Sequence, residues 1–288
     1  MSSTLTVETT PQQVSLNVVL RKMNMKKIIL FSATIFVFSI MTGCGFIESR
    51  IARFTTDFKV WPSDNRILYE NGAESLASET AGELPLTIGN IETRQYGTFK
   101  EPVKIYVFAT AKSFAKYSGV SEVVKGAALD NEVFLSGQLL QKLNEVHGML
   151  GHELSHIQLC QTLGTIRFNR TLPLWFREGL AIYVSDGGGA TNATEAESRE
   201  HFLKGEHFSP ETKGALLNQG LPASKELEPK VFYRQSGMFV RYMAANHPEQ
   251  FMKFLQGLQE GKPFEPYFTE CFGFKVGEML QTFIRTLK

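Results

Sequence analysis

The sequence predicts an α+β fold, with a small sheet formed early in the chain and a mostly helical C-terminal part. Short runs rich in β-branched and aromatic residues occur before residue 137, whereas helical spacing dominates after it. Strands and helices therefore do not alternate as they do in α/β folds. The 288 residues are 43% hydrophobic and 20% charged, which is ordinary for a globular protein with a sizeable core.

The first predicted elements precede residue 137. Residues 73–97 have helical spacing, although Pro85 is a candidate break. The segment PVKIYVFAT predicts a strand at 103–109, and a short helix should follow from Ser113 to Tyr117. The segment AALDNEVFLS predicts a second strand, at about 127–136.

The later elements are helices. A long helix is predicted from about 138 to 162, with Gly164 as its C-terminal stop. A further helix should begin at Pro173, because proline is favoured in the first helical turn. Residues 186–197 contain three glycines and predict a surface loop. The remainder, from about Glu226, should be mostly helical.

Charge and cysteine content narrow the functional classes. Lysine and arginine number 30 and aspartate and glutamate 29, so the net charge of +1 gives no nucleic-acid signature. Cys160 and Cys271 are compatible with one disulfide in an oxidising compartment and equally with two free thiols.

The long predicted helix carries the pattern His-Glu-x-x-His at residues 152–156. Residues four apart stand on the same face of a helix, so His152 and His156 can bind one zinc ion. Glu153 is turned about 100° around the axis, beside the ion, where it can accept the proton of an activated water. We therefore expect a zinc site with a carboxylate base.

A catalytic zinc site needs a third protein ligand. Glu178 is the best candidate, because it lies on the next long predicted helix. Two antiparallel helices joined by a short connection can bring residues 152, 156 and 178 together.

The two motifs together resemble the gluzincin metallopeptidases. The His-Glu-x-x-His pattern is followed by Trp-x-x-Glu-Gly-x-Ala at 175–181, as in small single-domain relatives of the aminopeptidase-like branch. The resemblance covers roughly residues 100–288. It implies a zincin-like catalytic domain in which His152, His156 and Glu178 hold Zn²⁺ and Glu153 is the base.

The same resemblance implies roles for two other segments. VFYRQSGMFVRYM is similar to the segment that holds an oxyanion-stabilising tyrosine, which makes Tyr233 the catalytic candidate. Core packing is its alternative role. GAALDN, residues 126–131, resembles the segment that holds a substrate N-terminus, with Asp130 replacing a glutamate. We favour an edge strand that pairs with substrate backbone.

Two charged residues near the motifs have simpler interpretations. His147 should point elsewhere around the helix than His152, as a capping or surface histidine. Arg177 could hold a substrate carbonyl or carboxylate, but an arginine on the flank of a helix is usually solvated.

The N-terminal region predicts a secretory signal. Lys26 and Lys27 precede an uncharged run, Ile28–Met41, which is shorter than the roughly 20 residues of a membrane span. Residues 40–44, Ile-Met-Thr-Gly-Cys, resemble the lipobox of bacterial lipoproteins. This implies cleavage before Cys44 and its lipidation, whereas a plain cleaved signal is the alternative.

The predicted organisation follows from this signal. Gly45 after the cysteine implies, by the same resemblance, an outer-membrane anchor facing the periplasm. The true start would be Met23 or Met25. We expect a mis-assigned extension at 1–22, a lipoprotein signal at 23–43, a tether at 44–66 and a zincin-like domain at 67–288.

The sequence thus predicts a zinc-dependent peptidase of the cell envelope, lipid-anchored to the membrane, with a peptide or protein substrate and no nucleic-acid partner. A catalytically silent zincin-fold lipoprotein, acting as a binding or assembly factor, is the alternative. Zinc chemistry of this kind also allows an amide or ester hydrolase.

Overall fold

The structure is a computed structural model that describes residues 56–214 and 227–288. The described residues belong to one compact unit, Thr56–Lys288. The predicted extension, signal and lipidation site at Cys44 lie outside them, as does most of the predicted tether. Within the two described ranges, no helix has the length and apolar character that crossing a bilayer requires.

The architecture is mixed α+β, as predicted. One five-stranded sheet has the order β1-β2-β3-β5-β4, with parallel pairing of β3 to β2 and β5 and antiparallel pairing at both edges. The strands are β1 (Lys59–Trp61), β2 (Asp64–Tyr69), β3 (Lys104–Val107), β4 (Gly126–Leu129) and β5 (Glu132–Leu135).

Two sequence predictions about the sheet need correction. β1 and the start of β2 occupy the end of the predicted 44–66 tether, so the fold begins before the predicted boundary at residue 67. The single strand predicted at 127–136 is a hairpin of β4 and β5. Its turn is Asp130-Asn131, with φ of 53° at Asp130. Aspartate and asparagine tolerate this conformation, so they reverse the chain inside an otherwise apolar run.

Helices make up most of the described residues. They are α1 (Glu74–Gln95), α2 (Ala111–Ser118), α3 (Val146–Leu163), α4 (Thr165–Thr171), α5 (Leu174–Val184), α6 (Glu195–Leu203), α7 (Pro229–Asn246), α8 (Pro248–Gln259), α9 (Phe264–Phe272) and α10 (Val276–Thr286). The helical C-terminal part is therefore confirmed. Helix α1 continues through Pro85, so the candidate break is not used.

The long helix differs from its prediction at the start. Two short 3₁₀ segments, Gly137–Gln141 and Leu143–Glu145, occupy its first predicted residues, and regular helix begins only at Val146. Gly164, with φ of 76°, ends it as predicted. The connection to α5 contains α4, an extra helix between the two that carry the metal-site motifs.

A continuous aromatic core packs the C-terminal helices against α5. The buried Trp175 ring contacts Phe176, Phe208, Phe239 and Phe264. Its indole Nε1 donates a hydrogen bond of 2.8 Å to the carbonyl of Glu211. Phe254, Phe264 and Phe268 of the C-terminal helices are buried in contact with one another and extend this core.

Candidate metal centre

Helix α3 places both histidines of the His-Glu-x-x-His pattern on one face, as their spacing predicts. The rings of His152 and His156 are 4.9 Å apart and nearly perpendicular. Their Nε2 atoms approach each other to 3.2 Å. Both ring nitrogens therefore point at the same small volume.

Helix α5 brings Glu178 to that volume. Its Oε2 lies 3.2 Å from Nε2 of His152 and 3.6 Å from Nε2 of His156. The next residue, Gly179, lets α7 approach closely, because a Cβ there would be 2.5 Å from the carbonyl oxygen of Ser236. Close packing of α5 on α7 therefore explains why glycine occupies the position after Glu178.

The three donor atoms have the spacing that a metal ion requires. Ligands held 2.0–2.1 Å from a tetrahedral zinc ion are roughly 3.3 Å apart. The observed separations of 3.2, 3.2 and 3.6 Å are close to this value. Among the described residues, His152, His156 and Glu178 are the set that could hold a metal ion, with His152 buried and the other two half-buried.

A glycine loop orients the first of these ligands. The Nδ1 atom of His152 lies 3.0 Å from the carbonyl oxygen of Gly188, to which it can donate a hydrogen bond. In neutral imidazole this leaves the Nε2 lone pair free for the metal. The next residue, Gly189, has φ of 77°, and a Cβ on it would lie 2.5 Å from Nδ1 of His152.

Sequence reasoning missed this loop. Residues 186–197 were expected to lie on the surface, yet Gly188 and Gly189 contact the buried His152, and α6 begins at Glu195. Three consecutive glycines after the ligand-bearing helix were the available signal, because glycine allows the closest approach of backbone to a side chain.

Burial and charge set the protonation of the site. Burial alone would raise the pKa of Glu178, but the adjacent imidazoles of His156 and His152 outweigh it and hold the pKa well below its usual range. Burial would lower the pKa of His152, but its hydrogen bond to Glu178 and the surrounding negative charge raise it. Burial raises the pKa of Glu153, although both imidazoles oppose the shift. Glu178 is thus a carboxylate, as a metal ligand must be.

Two adjoining cavities border the candidate ligands, and we refer to them as the halves of one cleft: His156 and Glu178 border both, and His152 borders the second. The first cavity has a volume of about 390 Å³ and is bordered by Arg177, so we refer to it as the Arg177 half. The second cavity has a volume of about 370 Å³ and is bordered by Lys125, so we refer to it as the Lys125 half. The residues that border both halves are Glu153, His156, Glu178 and Tyr233.

The predicted catalytic residues therefore lie in this cleft. Glu153 is buried, and it borders the cleft together with Glu178. Burial raises the pKa of Tyr233, and the negative charges of Glu178 and Glu153 raise it further. The phenol therefore stays protonated and able to donate a hydrogen bond.

One edge of the sheet follows the cleft. Gly126 of β4 borders the Lys125 half, and Ala128 and Leu129 border the Arg177 half. β4 pairs with β5 on one side, and within the described ranges no strand pairs with its other side. An extended segment could add to this edge across the metal ligands.

The remaining candidates lie around the site. His147 points away from the ligands, and its Nδ1 is 2.7 Å from a carboxylate oxygen of Glu83 on α1. Asp130 borders the Arg177 half from the exposed hairpin turn. Cys160 borders the same half, and both it and Cys271 are free thiols.

Arg177 differs from its sequence prediction. Instead of being solvated on the flank of α5, it is buried, with only 6% of its surface exposed. Its Nη1 donates a hydrogen bond of 2.6 Å to Oδ1 of Asn169, and its guanidinium carbon lies 4.9 Å from the centre of the Phe168 ring. Helix α4, absent from the prediction, supplies both partners.

Comparison with known proteins does not assign the chain to a family. No family model matches the sequence, and no curated protein matches it.

Proposed function

We propose that the chain is a zinc-dependent peptidase of the gluzincin type, with a zincin-like catalytic domain. The observation that carries this proposal is the convergence of two imidazole nitrogens and one carboxylate oxygen at separations suited to a tetrahedral ion. Two histidines and one glutamate are the protein ligands of known catalytic zinc sites in peptidases.

The residues around the ligands support hydrolysis. A bound zinc ion would polarise a carbonyl group and acidify a water molecule. The Glu153 carboxylate borders both halves of the cleft, where it would accept the proton of the attacking water. It would then pass this proton to the nitrogen of the leaving amine as the carbon–nitrogen bond breaks. Tyr233 would donate a hydrogen bond to the oxyanion.

A peptide in extended conformation suits the shape of the cleft. The edge of β4 with which no described strand pairs runs along both halves, so substrate backbone would pair there while its scissile carbonyl lies at the ligands. We place the enzyme at the cell envelope, anchored by lipid on Cys44 and facing the periplasm, because of the lipoprotein-type signal at 23–43.

The decisive experiment replaces the proposed base and leaves the metal ligands intact. Purified protein should contain one equivalent of zinc and cleave unfolded proteins. Glu153→Gln should retain zinc but lose at least about 100-fold in turnover, within the range for general acid–base catalysis. Glu83→Gln is the matched control, because Glu83 binds His147 outside the cleft.

Two other results would redirect the proposal. Zinc without turnover of any protein, peptide, amide or ester would favour a binding or assembly lipoprotein that keeps the fold. Turnover of amides or esters but not of peptides would retain the chemistry and change the substrate class. Absence of bound zinc after loading would contradict the proposal itself.

A further inference from the structure

A buried arginine lies in the Arg177 half of the cleft without an acidic partner. Nη1 of Arg177 bonds to a neutral amide, that of Asn169, and its Nε is buried and finds no hydrogen-bond partner among the described residues. Arg177 forms no ion pair with any described acidic residue. The main negative charge that acts on it is Glu178, whose carboxylate contacts both imidazoles.

This arrangement is unfavourable for folding alone. A guanidinium stays charged in proteins, and a buried charge is unfavourable unless an opposite charge compensates it. A divalent ion bound to Glu178 would neutralise that carboxylate, so the positive charge of Arg177 would be compensated even less. Because no described acidic residue forms an ion pair with Arg177, an anion that binds from outside the chain could compensate its charge.

The guanidinium is also held in one orientation. The ring of Phe168 lies against its face, and the amide of Asn169 holds one nitrogen. A planar fork fixed in this way matches the two oxygens of a carboxylate. Two further acidic residues border the Arg177 half. Asp130 lies on the exposed hairpin turn, where solvent screens its charge, and Glu153 is the proposed base.

We infer that Arg177 determines specificity by binding a substrate carboxylate in the Arg177 half of the cleft, close to the scissile bond. This inference rests on the proposed function. Two sources share the chemistry: an acidic side chain of the substrate and its C-terminal carboxylate. An acidic side chain would make the enzyme an endopeptidase with a preference for glutamate or aspartate, and a terminal carboxylate would make it a carboxypeptidase.

The test uses dipeptide hydroxamates, whose hydroxamate group anchors them at the metal. One pair differs only in a glutamate or glutamine side chain and is made with the hydroxamate at either end. A second pair differs only in a free or amidated C-terminus. Calorimetry on the zinc-loaded full chain measures each dissociation constant, so the result does not depend on turnover.

In one of the two pairs, we expect the probe with the carboxylate to bind wild-type protein at least tenfold more tightly than the matching neutral probe. The pair that shows this preference tells whether Arg177 binds a side-chain or a C-terminal carboxylate. Arg177→Gln should reduce this ratio to about one, and Arg177→Lys should restore part of it. Arg285→Gln, on the exposed face of α10, is the matched control and should keep the full ratio. Zinc content and circular dichroism establish that each variant is folded.

The outcomes separate the inference from the proposed function. Equal binding of the twins to wild-type protein, or a ratio that persists in Arg177→Gln, overturns the inference. Equal weakening of every probe by Arg177→Gln also overturns it, because Arg177 would then bind a neutral carbonyl. A preserved carboxylate preference without cleavage of any peptide contradicts the peptidase proposal alone. Failure of every probe to bind contradicts both.

Discussion

Replacement of Gly189 by alanine tests whether the glycine loop orients the metal site. Gly189 has φ of 77°, and an added Cβ would lie 2.5 Å from Nδ1 and 2.7 Å from Cε1 of His152. Carbon atoms in contact are normally 3.5–4.0 Å apart, so the ring or the loop must move by about 1 Å. That movement would break the hydrogen bond from His152 to the carbonyl of Gly188.

Two free-energy terms contribute to the expected effect. The left-handed backbone alone disfavours alanine by about 1–2 kcal/mol. Displacement of a partner that orients a ligand typically lowers metal affinity 10–100-fold, which corresponds to about 1.4–2.7 kcal/mol. Gly205→Ala measures the backbone cost alone, because Gly205 has φ of 80° and an added Cβ would meet nothing within 4 Å.

The assay is competition for zinc against a chromophoric chelator at pH 7, together with urea unfolding of the metal-free proteins. We expect both variants to lose stability but only Gly189→Ala to bind zinc at least tenfold more weakly. If Gly189→Ala binds zinc within twofold of wild-type protein, the loop does not position His152 and the argument fails.

Three further predictions concern stability, measured by urea unfolding. Gly179→Ala should lower the free energy of unfolding by about 1–3 kcal/mol, because its Cβ would lie 2.5 Å from the carbonyl oxygen of Ser236, where α5 packs on α7. An unchanged urea midpoint would contradict this packing. Gly82→Ala on α1, where nothing lies within 4 Å of the added Cβ, should instead stabilise by about 0.5–1 kcal/mol. Zinc at 100 times its dissociation constant should stabilise wild-type protein by about 2.7 kcal/mol over the chelated form but leave Glu178→Ala largely unaffected.

Local patterns were enough to predict that the two histidines of the candidate metal site lie together. Residues four apart on a helix face the same way whatever surrounds them, so the convergence of His152 and His156 needed only the helix itself. Glu178 required one further assumption, that the next long helix returns beside the first. The structure supports that assumption even though α4 lengthens the connection.

Features that depend on tertiary contacts were not predicted. The turn at Asp130 lies inside an apolar run, and only the pairing of β4 with β5 identifies it as a hairpin. Burial of Arg177 depends on α4, which folds its Phe168 and Asn169 over the guanidinium. The contact of Gly188 with His152 joins residues 36 positions apart, and single-sequence patterns contain no information on such a contact.

The position of the carboxylate ligand depends on packing away from the metal. On α5, Phe176 and Leu180 are buried in the core, about 200° around the helix axis from Glu178, which borders the cleft. Because a helix fixes the angle between neighbouring residues, the aromatic core on one face sets the direction of the carboxylate on the other. The three donor atoms of the candidate site lie 3.2, 3.2 and 3.6 Å apart. Packing of Phe176 and Leu180 in the core therefore fixes the side of α5 on which Glu178 lies, beside the two imidazoles of α3.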